Sequence, residues 1–109
     1  MTKPAIHAAI DLGSNSFRLL IATLQPNGAI QPLTKELITV RLGENLHATG
    51  CLRPEAMERG LGALASLAEL LRAHQPYRLR VCATHALRVA ANRAEFLAAA
   101  AKILGQPVE

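Results

Sequence analysis

Segment 6–24, IHAAIDLGSNSFRLLIATL, constrains the fold of this chain more than any other stretch. Two β-prone runs flank Asp11-Leu12-Gly13-Ser14-Asn15-Ser16. Gly and Asn tolerate positive φ, so a polar break this short between apolar runs predicts a tight turn and an antiparallel strand pair. Strand one is expected over 6–11 and strand two over 16–24. As architecture the break is a hairpin connection and nothing more. As chemistry it can aim several backbone N–H groups and two hydroxyls at one point. A phosphate needs that arrangement, and a Mg²⁺ beside the phosphate needs a carboxylate such as Asp11. Arg18 follows Ser16 by two residues and therefore lies on the same side of strand two. A guanidinium next to an N–H-lined loop suits a phosphate rather than a carbonyl.

Downstream, Pro26-Asn27-Gly28 signals a turn. A third strand is expected within 30–42, with Leu33, Leu37, Ile38, Val40 and Leu42 as its apolar positions, followed by a loop over 43–51. A helix should begin at Arg53-Pro54-Glu55, since proline suits the first turn and an acid suits its positive end. Met57, Leu61, Leu64, Ala68 and Leu71 form its apolar stripe. Gly60 and Gly62 weaken this helix but permit close packing on the sheet, and Gln75-Pro76 ends it. A fourth strand over 77–84 alternates Leu79, Val81 and Ala83 with Arg78, Arg80 and Cys82. A short helix over 86–91 precedes a longer one from Arg93 to Leu104. Asn92 with Glu95 three residues on has the pattern of a capping box, and Gly105 and Pro107 stop the helix. Val108-Glu109 reads as the opening of a further strand, which gives the order βββαβα.

The chain has 109 residues, enough for one small domain. Half are apolar, but the only aromatics are Phe17, Tyr77 and Phe96, so Leu, Ala, Ile and Val must build the core. Twelve Lys and Arg against eight Asp and Glu give a net charge of +4, which favours anionic partners. The scarcity of stacking aromatics argues against a nucleic-acid surface. Cys51 and Cys82 lack metal-ligand spacing and follow no secretory signal. Cys82 reads as a core strand residue and Cys51 as a loop thiol. The most apolar helical stretch, 61–71, is too short to span a bilayer and carries Glu69. A cytoplasmic chain with no membrane partner is expected. There is no internal repeat, low-complexity tract or interdomain linker.

Segment 83–88, ATHALR, forms a second constellation. It follows a strand that should lie beside the first, and ligands of open α/β sheets bind outside the carboxyl ends of strands. Thr84 can offer a hydroxyl, the helix start at Ala86 free N–H groups, and Arg88 a bidentate grip on phosphate. The plainer reading makes Thr84 a helix cap and Arg88 a solvated charge. Arg41 is either a third phosphate contact or an exposed edge-strand arginine that limits aggregation. His7, His47 and His74 have no ligand spacing, and Arg78, Arg80 and Arg93 read as a solvated face.

DLGSNSFRLLIA, residues 11–22, closely resembles the first phosphate motif of the exopolyphosphatase/guanosine pentaphosphate phosphohydrolase (Ppx/GppA) family. The resemblance continues at VRLGENL (40–46), through 54–71, and at ATHALRVAANRAEFL (83–97), in the family's order and over nearly the whole chain. It implies an α/β, ribonuclease H-like half-domain of the actin-like ATPase superfamily, with a mixed βββαβα sheet cut at the start of the fifth strand. Residues 1–109 would then be the N-terminal part of the first subdomain. The implied activity is removal of terminal phosphate from inorganic polyphosphate or guanosine pentaphosphate with Mg²⁺. Asp11 would hold the metal, and Gly13, Ser14, Asn15 and Ser16 would cradle phosphate. Arg18, Arg41, Thr84 and Arg88 would bind the chain. The family's frequent serine is replaced by His85. The family's catalytic glutamate follows the fifth strand in a Gly-x-x-Glu-Ala-type segment, so Glu109 does not match it and no catalytic base is expected within the chain. The resemblance also implies a homodimer for the full-length parent. Two other classes stay open: an ATP-binding kinase or regulatory ATPase of the same superfamily, and a non-catalytic polyphosphate-binding module.

Overall fold

Alternation along the strands decides which side of the sheet is covered. The computed structural model describes residues 4–109. In β1 (Ala5–Leu12), Ala8, Ile10 and Leu12 are buried while Ala9 and Asp11 are exposed. In β2 (Ser16–Leu24), Phe17, Leu19 and Ile21 are buried and Arg18 is exposed. β3 (Ile30–Thr39) and β4 (Arg78–Ala83) complete a sheet of order β3-β2-β1-β4. β1 runs antiparallel to β2 and parallel to β4, and β2 runs antiparallel to β3 with a register irregularity at Ile21/Ala22. Beyond β4, the N–H of Glu109 donates to the carbonyl of Val81 (2.8 Å) and its carbonyl accepts from Ala83 (3.1 Å). Those two bonds have the alternation of a parallel ladder, but residues 107–109 form no strand in this structure, so the expected further strand is represented only by the pairing of Glu109.

The helices lie on one face. The short α1 (Leu46–Thr49) is followed by α2 (Pro54–His74), the four-residue α3 (Ala86–Val89) and α4 (Arg93–Leu104). The buried stripe of α2 is Ala56, Gly60, Ala63, Leu64, Leu67, Ala68 and Leu71. Of these, Ala56, Ala63, Leu64, Leu67 and Leu71 join Ile10, Phe17, Val81 and Phe96 in one hydrophobic core. Gly60 is required where α2 meets α4: a Cβ there would stand 2.9 Å from the ring of buried Phe96. At the other end of α2, His74 sits between the carbonyl of Leu70 (3.0 Å) and the hydroxyl of Thr34 on β3 (3.1 Å). No helix among the described residues is long and apolar enough to cross a membrane.

Five expectations change. Cys82 is exposed on the uncovered face of the sheet, not in the core. Leu33 and Leu37 are also exposed, because β3 is an edge strand facing solvent; Ile38 is half-buried, and Val40 and Leu42 reach the core only after β3 has ended. The loop over 43–51 contains α1. Met57 and Leu61 are only partly buried, since the α2 stripe is rotated toward Ala56, Gly60 and Ala63. Asn92 does not cap α4 through its side chain. Its amide instead accepts from the N–H of Leu52 (2.8 Å) and donates to the carbonyl of Leu52 (3.0 Å), tying the start of α4 to the segment before α2.

Candidate functional site

Three loops meet at the end of the sheet where β1, β3 and β4 finish and β2 begins. Ser14 joins them: its carbonyl accepts the N–H of Gly43 (2.9 Å) and its Oγ accepts the N–H of Ala86 (3.1 Å). The carbonyl of Asn15 accepts from both Val40 (2.9 Å) and Arg41 (2.8 Å). Thr84 donates its backbone N–H (3.2 Å) and its hydroxyl (3.3 Å) to the carbonyl of Leu12. Loops 12–16, 40–44 and 83–88 are thus one hydrogen-bonded unit at the carboxyl ends of β1 and β4, the usual side for ligands of such sheets.

Within the turn, the residues divide by task. Gly13 donates its N–H to the carbonyl of Ser16 (3.0 Å), and a Cβ at Gly13 would lie 2.7 Å from that oxygen, so this closure needs glycine. Asn15 donates its side-chain amide to Ser16 Oγ (3.3 Å). The backbone N–H groups of Ser14 and Asn15 donate to no acceptor among the described residues. The hydroxyl of Ser14 accepts from Ala86 and keeps its proton to donate. Two adjacent N–H groups and a hydroxyl proton remain for an anion.

Asp11 stands directly opposite Arg18 on β2 and Cys82 on β4. Residues level in a ladder share a face, so all three occupy one rung of the uncovered face. Asp11 and Arg18 are exposed, and neither forms an ion pair or side-chain hydrogen bond with a described residue. Among the described residues no group of three or more His, Cys, Asp or Glu could form an all-protein metal cage. Mg²⁺ does not need one, because it keeps several waters and takes one or two carboxylates plus phosphate oxygens. An exposed, unpaired Asp11, three residues before the open N–H of Ser14, fits that requirement.

The second constellation is arranged differently from the expectation. The N–H groups at the start of α3 are already bonded: Ala86 to Ser14 Oγ, Leu87 to the carbonyl of Thr84 and Arg88 to that of His85. Within α3 itself no first-turn N–H is left over; the turn contributes the open N–H groups of Ser14 and Asn15, and the residue before α3, His85, likewise donates its N–H to no acceptor among the described residues. The hydroxyl proton of Thr84 goes to Leu12, so Thr84 does not cap α3. Arg88 is exposed and donates its Nε to the carbonyl of Ala83 (3.3 Å), and its two terminal nitrogens have no partner among the described residues. Arg41 is exposed and lies two residues beyond β3, so it is a loop residue and not an edge-strand one. Its φ of 55° is left-handed. Such a backbone is uncommon for a long side chain, and the two bonds to Asn15 hold it.

Sequence reasoning missed Arg59 and Glu44. Arg59, on α2, donates Nε to the carbonyl of Val40 (2.8 Å) and a terminal nitrogen to Glu44 Oε2 (2.9 Å) and the carbonyl of Arg41 (3.4 Å). The hydrogen bond from Arg59 holds the Glu44 carboxyl below its usual range, with smaller help from the charges of Arg53 and Arg41. These partners lie 15 to 19 residues apart in sequence, so no local spacing signals them.

A three-stranded antiparallel meander, then a helix and a strand parallel to the first, defines a ribonuclease H-like fold of the actin-like kind. RuvC of T. thermophilus, solved in complex with a Holliday junction substrate, shares it, with a TM-score of 0.57 at 19% identity over 94% of this chain and 63% of that one. That likeness concerns the fold alone. The chain belongs to the Ppx/GppA phosphatase family, whose model matches residues 20–109. Among solved structures, an exopolyphosphatase-like protein matches 99% of the chain with 34% identity and a TM-score of 0.92. The Aquifex aeolicus Ppx/GppA family member matches 98% at 30% identity and 0.91. An exopolyphosphatase from Cytophaga hutchinsonii matches 95% at 28% identity and 0.89. The chain spans 33%, 35% and 33% of these three proteins, about a third of each.

Proposed function

We propose that this chain is the phosphate-binding part of a phosphohydrolase that removes terminal phosphate from inorganic polyphosphate or guanosine pentaphosphate. The observation that carries the reading is the pair of open N–H groups on Ser14 and Asn15, beside unpaired Asp11 and Arg18. Phosphoryl transfer asks a protein chiefly for positioning and charge neutralisation. The N–H groups of Ser14 and Asn15 and the Ser14 hydroxyl would bind phosphate oxygens, while Gly13 and Ser16 close the turn that presents them. Arg18, Arg41 and Arg88 would neutralise successive phosphates of the chain, and Thr84 would fix the loop that carries Arg88. Asp11 would hold Mg²⁺, which when bound neutralises phosphate charge. A base that orients the attacking water lies outside this assignment. The chain covers about a third of its relatives' length, and binding without hydrolysis is the behaviour proposed for it alone.

The test is a titration with long-chain polyphosphate and Mg²⁺ at two salt concentrations, beside an Arg18→Ala/Arg88→Ala variant. Saturable binding that the double variant loses supports the site. Equal and strongly salt-dependent binding by both proteins would reduce it to a generic basic surface. Phosphate release by the pure chain, abolished in Asp11→Ala, would overturn the proposed lack of hydrolysis.

A further inference from the structure

The geometry points to Arg59 as a positioning residue for phosphate binding: it fixes loop 40–44 against the 13–16 turn and occupies Glu44, leaving Arg41 free for the anion. The inference rests on the proposed phosphate site and adds to it a residue on α2. Arg59 belongs to a helix of the covered face, yet it bonds three successive features of the loop: the carbonyls of Val40 and Arg41 and the carboxylate of Glu44. The same loop donates the N–H groups of Val40 and Arg41 to Asn15 and that of Gly43 to Ser14. Arg59 therefore grips from one side the strip of backbone whose other side rests on the turn.

Two consequences follow for Arg41. Its left-handed backbone, φ 55°, is held between Asn15 and Arg59, so the direction of its side chain is set by both. Glu44 is the acid of the same loop, three residues on, and its N–H donates to the carbonyl of Arg41 (3.1 Å). An arginine paired with its own loop's glutamate is a poor phosphate ligand, since the anion must first displace the carboxylate. Here Glu44 is paired with Arg59 at 2.9 Å, and Arg41 forms no ion pair with a described residue. A lysine at 59 could reach Glu44 but could not fork between the carboxylate and two carbonyls.

A double-mutant cycle on polyphosphate binding, with Mg²⁺ present, tests this. Arg59→Ala should weaken binding by about five- to tenfold, the same loss expected of Arg41→Ala, which removes one charge-assisted contact. The Arg41→Ala/Arg59→Ala protein should bind no worse than Arg41→Ala, because Arg59 acts through Arg41. Adding Glu44→Gln to Arg59→Ala should recover part of the loss, since the freed carboxylate no longer competes for Arg41. A residue serving only the fold would give no such recovery. Arg59→Lys keeps the alkyl packing and guards against a variant that fails to fold; it should fall between wild type and Arg59→Ala. Additive losses in the cycle, or no recovery with Glu44→Gln, would overturn the role of Arg59. Unchanged binding in Arg41→Ala, with binding lost in Arg18→Ala/Arg88→Ala, would overturn it while leaving the phosphate site standing. Absence of saturable binding by the wild type would remove the site itself.

Discussion

Ser14 and Glu44 hold the loops of the candidate site together. Ser14 uses its carbonyl and its Oγ to join three loops, and only its N–H and hydroxyl proton are left open. Ser14→Ala should therefore lower stability as well as binding. Loss of the acceptor for the Ala86 N–H, at a half-buried position, costs about 1 kcal/mol, readable as a lower urea midpoint with an unchanged denaturant slope. Glu44 allows a prediction in pH. Arg59 depresses its carboxyl in the folded state, so the ionised form is favoured by folding. The contribution is therefore complete above the unfolded value of about 4.3 and fades as pH falls below it. Melting temperatures of wild type and Glu44→Gln should differ at neutral pH and converge as pH falls through the depressed folded-state value. A constant offset at all pH values would mean that the Glu44 carboxylate charge contributes nothing.

Two glycines on α2 separate packing from helix propensity at the scale of an element. Gly62 is exposed with open space where a Cβ would go, so Gly62→Ala should stabilise by about 0.5–1 kcal/mol. Gly60→Ala offers the same propensity gain, but its Cβ would meet the Phe96 ring at 2.9 and 3.0 Å. That ring is buried in the core and cannot swing away. Overpacking of this kind costs about 1–3 kcal/mol, so the net effect should be destabilising. Chemical denaturation of both variants gives the signs, and a stabilising Gly60→Ala would show that α4 moves off without cost. The sequence marked both glycines as helix-weakening, and only the tertiary contact tells them apart. The same holds elsewhere. The bounds of β2 and α4 are those read from apolar runs and from Gly105, because such signals are local. Asn92 had the spacing of a cap, yet it serves Leu52, 40 residues away. Of the site, the 11–18 segment was legible as one patch because a hairpin brings it together. The clamp from Arg59 was not, because α2 returns to the loop only through the packed core.

At the scale of the whole molecule, one face of the sheet is covered by helices and the other is open. The Cα radius of gyration is 14.9 Å, against about 13 Å for a compact domain of this length. The excess reflects an elongated shape, 55 Å long against 22 and 20 Å across. Alternation in β4 sets Cys82 with Arg78 and Arg80, apart from Leu79, Val81 and Ala83. Cys82 read as core from the apolar character of a thiol, against that alternation, and the exposed face of the arginines is where it lies. The same placement makes it a reporter, since it shares a rung with Asp11 and Arg18. In a Cys51→Ser background, Cys82 should react with a thiol reagent under native conditions about as fast as in denaturant. The half-buried Cys51, tested in Cys82→Ser, should lag until the chain unfolds. Polyphosphate with Mg²⁺ should then slow labelling of Cys82 while leaving Cys51 unchanged, because an anion held at Asp11 and Arg18 stands over that rung. If Cys82 were protected in the free chain, the face would be covered and the picture of the sheet would fail. If it were reactive and indifferent to saturating polyphosphate, the anion would bind away from Asp11, and Asp11 would lose its assignment as the metal ligand.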